Sequence, residues 1–315
     1  MKEVIVVVPC YNEEETLPHI IEALNEVRNR LKSKFLIDFL FVNDGSSDKT
    51  QVLLDKAATV DKHVFYREFS KNVGHQSALR AGLRAAVDYD AAIMMDADMQ
   101  HPPELIDQML DQWQKGFKIV QMIRKDSSEE TGVIRFWIGK LYYQLINWIS
   151  DLKLDYGASD FRLIDKSVTE IVNASKENNL FLRGYFSWLP ASRTTIEYMP
   201  NKRIAGLSKY NLKKLLDLAL RSVIQFSEKP LRLATIMGLV FAAASFIYGI
   251  FLIISHLLGL HTVSGWASLM VVILFCFGIN FVLLGIIGNY LAHSINIQKE
   301  RPEYIIASEK LRFVK

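Results

Sequence analysis

The chain has 315 residues, 37 Lys and Arg against 34 Asp and Glu, and half of its residues are apolar. That composition excludes disordered, collagen-like and low-complexity classes. A net charge of +3 with no concentrated basic face argues against a nucleic-acid partner.

Two cysteines, Cys10 and Cys276, cannot build a disulfide framework, which fits a reducing compartment. The sequence opens with Met1-Lys2-Glu3 and then the apolar run Val4–Val8. That run is too short for the core of a signal peptide, so the front part is expected in the cytosol. Further short, β-branched runs follow at Phe35–Val42, His63–Phe69, Ala91–Met95 and Lys118–Met122. Between them apolar residues recur at helical spacing, as at Leu17, Ile20, Ile21, Leu24 and Val27. Alternation of this kind predicts an α/β domain, a Rossmann-like and mostly parallel sheet with helices on both faces. In such a sheet the ligand sits at the carboxyl ends of the strands. Polar clusters follow the first, second and fourth runs, at Pro9–Glu14, Asn43–Thr50 and Asp96–Pro103, and should converge on one crevice.

After a charged break at Arg124–Glu130, the pattern predicts a helix over Val133–Ser150 and strands over Asp160–Ile164 and Arg193–Met199. Lys209–Phe226 carries Leu212, Leu215, Leu216, Leu218, Leu220, Val223 and Ile224 mostly on one face, flanked by Lys213, Lys214 and Arg221. This reads as an interfacial helix, with a core helix of the globular domain as the alternative. Between Arg232 and Lys299 there is no Asp, Glu, Lys or Arg. Leu233–His256 and Trp266–Leu291 are each long enough to span a bilayer, and their lack of charge disfavours a buried soluble hairpin. The linker Leu257–Gly265 has no Lys or Arg, whereas Lys229, Arg232, Lys299 and Arg301 flank the spans. The positive-inside rule therefore predicts a multi-pass protein of the cell membrane with both termini cytoplasmic. The division expected is a cytosolic domain over 1–208, an interfacial helix over 209–230, two spans within 231–295 and a cytosolic tail over 296–315.

Asp96-Ala97-Asp98 stands where a buried strand opens into a loop, and paired carboxylates there can bind a hard divalent cation together with substrate phosphate. Asp44 can accept from a base N–H or a ribose hydroxyl, and Gly45 permits a tight turn. Ser47 or Asp48 can cap a helix beginning near Lys49. Tyr11 offers a stacking face and Glu13 a polar contact, while Asn12 fits a cap equally well.

Taken in order, Val8-Pro9-Cys10-Tyr11-Asn12-Glu13-Glu14, Asn43-Asp44-Gly45-Ser46-Ser47-Asp48, Asn72-Val73-Gly74, Asp96-Ala97-Asp98-Met99-Gln100 and Ser159-Asp160-Phe161-Arg162-Leu163 resemble family 2 glycosyltransferases of the GT-A fold. The chain is similar in particular to the polyprenyl-phosphate glycosyltransferases, the dolichyl-phosphate mannose synthase-like and bactoprenol glucosyltransferase-like subgroup. A later stretch, Arg203-Ile204-Ala205-Gly206-Leu207-Ser208-Lys209-Tyr210, matches as well. There is no Gln-x-x-Arg-Trp, which disfavours polymer synthesis.

The resemblance implies inverting transfer of a hexose such as glucose from a nucleotide-sugar, a UDP-sugar, to undecaprenyl phosphate for cell-envelope glycan modification. Transfer of an amino- or formamido-pentose or an N-acetylhexosamine is the alternative. So is a silent membrane scaffold, against which the intact Asp44, Asp96 and Asp98 argue. By the same resemblance Pro9, Tyr11, Asn12, Glu13, Asp44, Ser46, Asn72, Gly74, Asp96 and Gln100 bind the nucleotide-sugar. Asp96 and Asp98 hold Mg²⁺ or Mn²⁺, and Asp98 and Asp160 are catalytic. Asp160 acts as a base, an orienting group or a metal neighbour; the alternative is a buried structural carboxylate paired with Arg162. Arg183, Arg203, Ser208 and Lys209 meet the lipid phosphate or the diphosphate, although Lys209 also fits a lysine at the lipid headgroups. Homo-oligomerisation is left open.

Overall fold

The computed structural model describes residues 1–125, 155, 157–178, 180–201, 227–258 and 265–312. The helices expected over 133–150 and 209–226 lie outside these residues, as do Arg203, Ser208 and Lys209. The front part forms one sheet of eight strands: β1 (Lys2–Cys10), β2 (Phe35–Asn43), β3 (Val64–Phe69), β4 (Ala91–Met94), β5 (Ile119–Arg124), β6 (Ala158–Asp165), β7 (Arg193–Tyr198) and β8 (Ile306–Lys310). Their order is β7-β5-β6-β4-β1-β2-β3-β8. Strands β4, β1, β2 and β3 run parallel, as do β5 and β7. β6 is antiparallel to both β4 and β5, and β8 is antiparallel to β3.

β1 reads as a continuous apolar run because helices cover both faces of the sheet. Val4, Val6 and Val8 belong to a core shared with α1 (Leu17–Leu31), α2 (Thr50–Val60) and α4 (Ile106–Gln114). Ile5 and Val7 point the other way, as the two-residue period requires. They pack in the core that includes α3 (His75–Ala85), α5 (Lys166–Ala174) and α6 (Leu182–Trp188).

After the domain in the chain come α7 (Lys229–Leu257) and α8 (Trp266–Gln298), of 29 and 33 residues. By length and composition both can cross a membrane, and their large side chains, Phe246 and Phe281 among them, face outward. Tyr290 of α8 donates to the Ser227 carbonyl at 2.6 Å, which ties α8 to the start of α7.

The segment after α8 differs from a simple tail. It returns to the domain, where Ser70 N donates to the Ile305 carbonyl and β8 then pairs with β3. The sequence carries no core signal for this strand because β8 lies at an edge and its residues are largely exposed.

α3 is buried continuously from Ser77 to Leu83, and Gly82 allows that closeness: a Cβ there would lie 2.1 Å from Val7 Cγ1. Valine is stiff at χ1 and cannot swing away. Gly82→Ala is expected to lower the thermal midpoint of the domain. The net loss is about 1 kcal/mol, an overpacking cost of ~1–3 kcal/mol less the ~1 kcal/mol of alanine's better helix propensity. An unchanged or higher midpoint in a thermal melt would refute this packing.

Candidate active site

Three strand ends of the parallel half interlock through their own side chains. Asn12 adopts a left-handed φ of 55°, and its Oδ1 accepts from Ser47 N at 2.9 Å. Asn12 N in turn donates to Ser46 Oγ at 3.0 Å, while Ser46 Oγ donates to Asn43 Oδ1 at 2.6 Å. Asn12 is therefore a brace between two loops and does not cap α1, whose capping position is Thr16. Asp48 bridges in the same way, accepting from Glu14 N and Thr50 N. Thr50 Oγ1 accepts from Glu13 N. Tyr11 is left at the rim with its ring exposed, whereas Pro9 is buried within β1.

Asp44 reaches the third loop, where its two oxygens accept from Val73 N at 2.7 Å and Gly74 N at 2.9 Å. Burial pushes its pKa up, and these backbone donors and the nearby His75 oppose that rise. Gly45 is required beneath this contact, since φ is +64° and a Cβ would stand 2.5 Å from the Lys71 carbonyl carbon. Asn72 is exposed, and Gly74, with φ of 108°, turns the chain into α3.

β4 ends at Met94, and the loop after it carries Asp96 and Asp98. Asp96 N donates to Nδ1 of His101, whose ring stacks on Phe161 with centroids 5.0 Å apart. Asp98 Oδ1 accepts from Gln100 N at 3.1 Å, across a turn in which Met99 has a φ of 62°. Gln100 also joins the far rim, accepting from Asn201 N at its carbonyl and from Arg124 at its side chain.

The antiparallel register of β4 with β6 pairs Met94 with Arg162. Continuing it by two residues sets Asp160 opposite Asp96, so the aspartate of the last motif meets the first of the Asp-x-Asp pair. Asp160 is 3% exposed and is gripped by Arg183 of α6, Nε to Oδ1 at 2.8 Å and Nη2 to Oδ2 at 2.7 Å. His75 Nε2 lies 3.3 Å from Asp160 Oδ2 and 3.4 Å from Asp96 Oδ1. Gln76 Nε2 donates to Asp160 Oδ2 at 3.4 Å, and Gln76 Oε1 accepts from Leu182 N at 3.2 Å.

The pairing of Asp160 with Arg162 expected as one alternative is present, but it is the longer of two arginine contacts. Arg162 Nη2 stands 3.9 Å from Asp160, donates to the Ser159 carbonyl, and its guanidinium lies over the Phe186 ring. The two residues share a strand face, and α6 supplies both the ring beneath Arg162 and the arginine that makes the shorter contact. His75, Gln76 and His101 were not singled out as ligand contacts in the sequence. The signal available was the polar pair directly after Gly74, at the end of the third parallel strand.

Burial would raise the Asp160 pKa, but the charge and hydrogen bonds of Arg183, with His75, hold it well below the usual carboxylate range. The His75 side chain is 42% exposed, and Asp96 and Asp160 outweigh the partial desolvation that opposes its charge and raise that imidazole to about 9. Cys10 at the base of the first loop is buried, and burial pushes its thiol well up, so it is no nucleophile.

The donor set suits a hard cation. Asp96 Oδ1 is buried and accepts no hydrogen bond, with only the His75 ring at ion-pair distance, 3.4 Å, and Asp98 stands two residues away. Among the described residues no group of three His, Cys, Asp or Glu could hold a metal ion. A cation here would complete its shell with substrate phosphate and water, as Mg²⁺ commonly does.

The mostly parallel α/β sheet, with polar loops at its strand ends, belongs to a GT-A glycosyltransferase domain, as the family comparison shows. Residues 5–172 match the Glycosyl transferase family 2 model, and the chain belongs to that family. It is 38% identical over 304 residues to the bactoprenol glucosyl transferase of Shigella phage SfV, covering 96% of this chain and 98% of that one. It is 36% identical over 301 residues to the uncharacterized glycosyltransferase YkcC of Bacillus subtilis (strain 168), covering 96% and 92%. Among solved structures it is similar to glucosyl-3-phosphoglycerate synthase from Mycobacterium tuberculosis, in complex with Mn²⁺, UDP and phosphoglyceric acid. That likeness has a TM-score of 0.46 at 12% identity over 71% of this chain and 76% of that one.

The His75 contacts make a spectroscopic prediction for the full chain without divalent cations. Its ring resonances should titrate near pH 9, and Asp160→Asn should bring the midpoint down toward 6.5 by removing one of the two anions. Because the folded value is raised, the stabilisation is complete below about pH 6.5 and fades as pH passes about 9. A midpoint near 6.5 in the parent chain would disprove the bridged arrangement.

Proposed function

We propose that the chain transfers glucose, with inversion, from a nucleotide-sugar, a UDP-sugar, to undecaprenyl phosphate, giving a polyprenyl-monophosphate sugar for cell-envelope glycan modification. One observation carries the reading: His75 bridges Asp96 and Asp160 in one cleft, with Asp98 two residues from Asp96, in a chain whose domain is followed by two helices fit to cross a membrane. The phage relative named for bactoprenol glucosyl transfer aligns through that whole length.

Asp96 and Asp98 would hold Mg²⁺ or Mn²⁺, which when bound offsets charge on the departing diphosphate. The braced loops of Tyr11, Asn12, Glu13, Asp44, Ser46 and Asn72 form the donor side. An acceptor phosphate monoester has a second pKa of about 6, so it is already largely dianionic near neutrality. It therefore needs orientation more than deprotonation. Asp160, held ionised by Arg183, is a weak base and serves as the orienting group between donor and acceptor. Arg183 borders that side of the cleft, and Arg203, Ser208 and Lys209 are assigned to the acceptor phosphate, where arginine gives a two-pronged contact and lysine a compact charge.

Asp98→Asn should insert and fold normally but lose transfer by about a hundredfold or more, since an amide cannot supply the anionic ligand. The assay is membranes incubated with a panel of radiolabelled nucleotide sugars and undecaprenyl phosphate. Labelled lipid from the parent with UDP-glucose and not from the variant is expected. Full activity of the variant, or of the parent in excess EDTA, would remove the metal role, and a parent inactive with every sugar would remove the function.

We further propose that α7 and α8 form a hairpin with both termini cytosolic. Two observations support it: Lys and Arg flank the pair while the linker has neither, and β8, after α8, joins the sheet that precedes α7. Reporters at Met1 and Lys315 should both read cytosol, and a tag near His261 should be reached from outside. A C-terminus accessible from outside would contradict the hairpin.

A further inference from the structure

The chain leaves α8 at Gln298, and only five residues later Glu303 is 2% exposed in its side chain, inside the domain. Ser77 Oγ donates to Glu303 Oε1 at 2.8 Å, and Arg80 Nη1 lies 3.4 Å from Glu303 Oε2. Arg80 is itself almost fully buried; its Nη1 also donates to the Glu177 carbonyl and its Nη2 to the Ser175 carbonyl, while its Nε has no partner group. Tyr304 then stacks on Phe69 at 4.6 Å, and Arg67 of β3 binds Glu309 of β8 at 2.8 Å.

Ser77 and Arg80 lie in the first turns of α3, directly after His75 and Gln76. Those two residues contact Asp160, and Gln76 also holds the start of α6, which brings Arg183 to the same carboxylate. A purely apolar contact between the tail and α3 would tolerate sliding. A buried ion pair with an added hydroxyl donor has one register, and removing one partner strands the other charge. Five extended residues reach at most about 17 Å, so the end of α8 is kept close to α3.

We propose that residues 299–312 tether the second membrane helix to α3, and that Glu303 is a positioning residue which, through Ser77 and Arg80, sets His75 and Gln76 against Asp160. This rests on the function proposed above. The tether makes the catalytic geometry depend on the position of α8 at the membrane, so the acceptor's anchor and the cleft that uses it share one mechanical frame.

The test uses the full chain in lipid nanodiscs, with undecaprenyl phosphate and UDP-glucose. Glu303→Ala should lower turnover per donor-binding site by about tenfold to a hundredfold, the scale of a misplacement remote from the chemistry. Donor affinity, measured by UDP binding, should stay within about twofold. Amide hydrogen exchange should quicken in His75–Arg80 and not in β1. Glu303→Gln, which still accepts from Ser77, should recover part of the turnover. Glu300→Ala, which removes an exposed contact to Lys176 on the same segment, should change nothing.

Normal turnover per site in Glu303→Ala would overturn the proposal. So would loss of UDP binding or faster exchange throughout β1, since either marks a merely structural role. If the parent chain transfers no sugar at all, the proposed function fails instead. The tether is then judged by exchange in α3 alone, where an unchanged pattern overturns it.

Discussion

An ionised carboxylate shielded from water costs several kcal/mol unless its partners replace the lost hydration, and Asp160 is such a group. Its position is set by the register of β6 on β4. Its tolerance is set by two helices that arrive from different parts of the chain, α6 with Arg183 and α3 with His75 and Gln76. The cleft therefore needs the antiparallel strand to be inserted next to β4, and both helices to converge on its exposed end. His75 closes the arrangement by reaching Asp96 as well, which links the loop of Asp96 and Asp98 to Asp160 before any ligand arrives.

The same economy governs the loops that end the first two parallel strands. Asn12, Ser46, Asn43 and Asp48 are residue types that serve equally as caps, turn formers or ligands. Here they spend much of their hydrogen-bonding capacity on one another and on neighbouring backbone. Asp44, a natural candidate for a ribose contact, uses both oxygens on Val73 N and Gly74 N. Such bracing holds three loops in one shape without a ligand, and a preformed site loses less conformational freedom on binding.

How much of this was legible in the sequence follows from what local pattern can carry. β1 to β5 are readable because a sheet covered on both faces demands short apolar runs. The polar clusters at their ends are readable because the fold class places ligands there. Asp160 was visible by its motif, but its partner was not: Arg183 lies 23 residues on, and only the packing of α6 on the sheet chooses it over Arg162. β8 was invisible for the opposite reason, since an edge strand with exposed side chains shows no apolar run. His75 stood beside a motif already noticed, and only the β4–β6 register reveals that two carboxylates face it.

β8 has one more consequence, for anyone who cuts the molecule apart. A strand at the border of a sheet exposes unpaired backbone donors and acceptors that recruit other strands. Ending the chain before α7 would strip β8 away and leave β3, which carries Phe65 and Phe69, as such a border. A fragment made in that way would associate with itself through β3. One that keeps residues 300–312 joined to the domain retains the polar, charged strand that keeps this border closed.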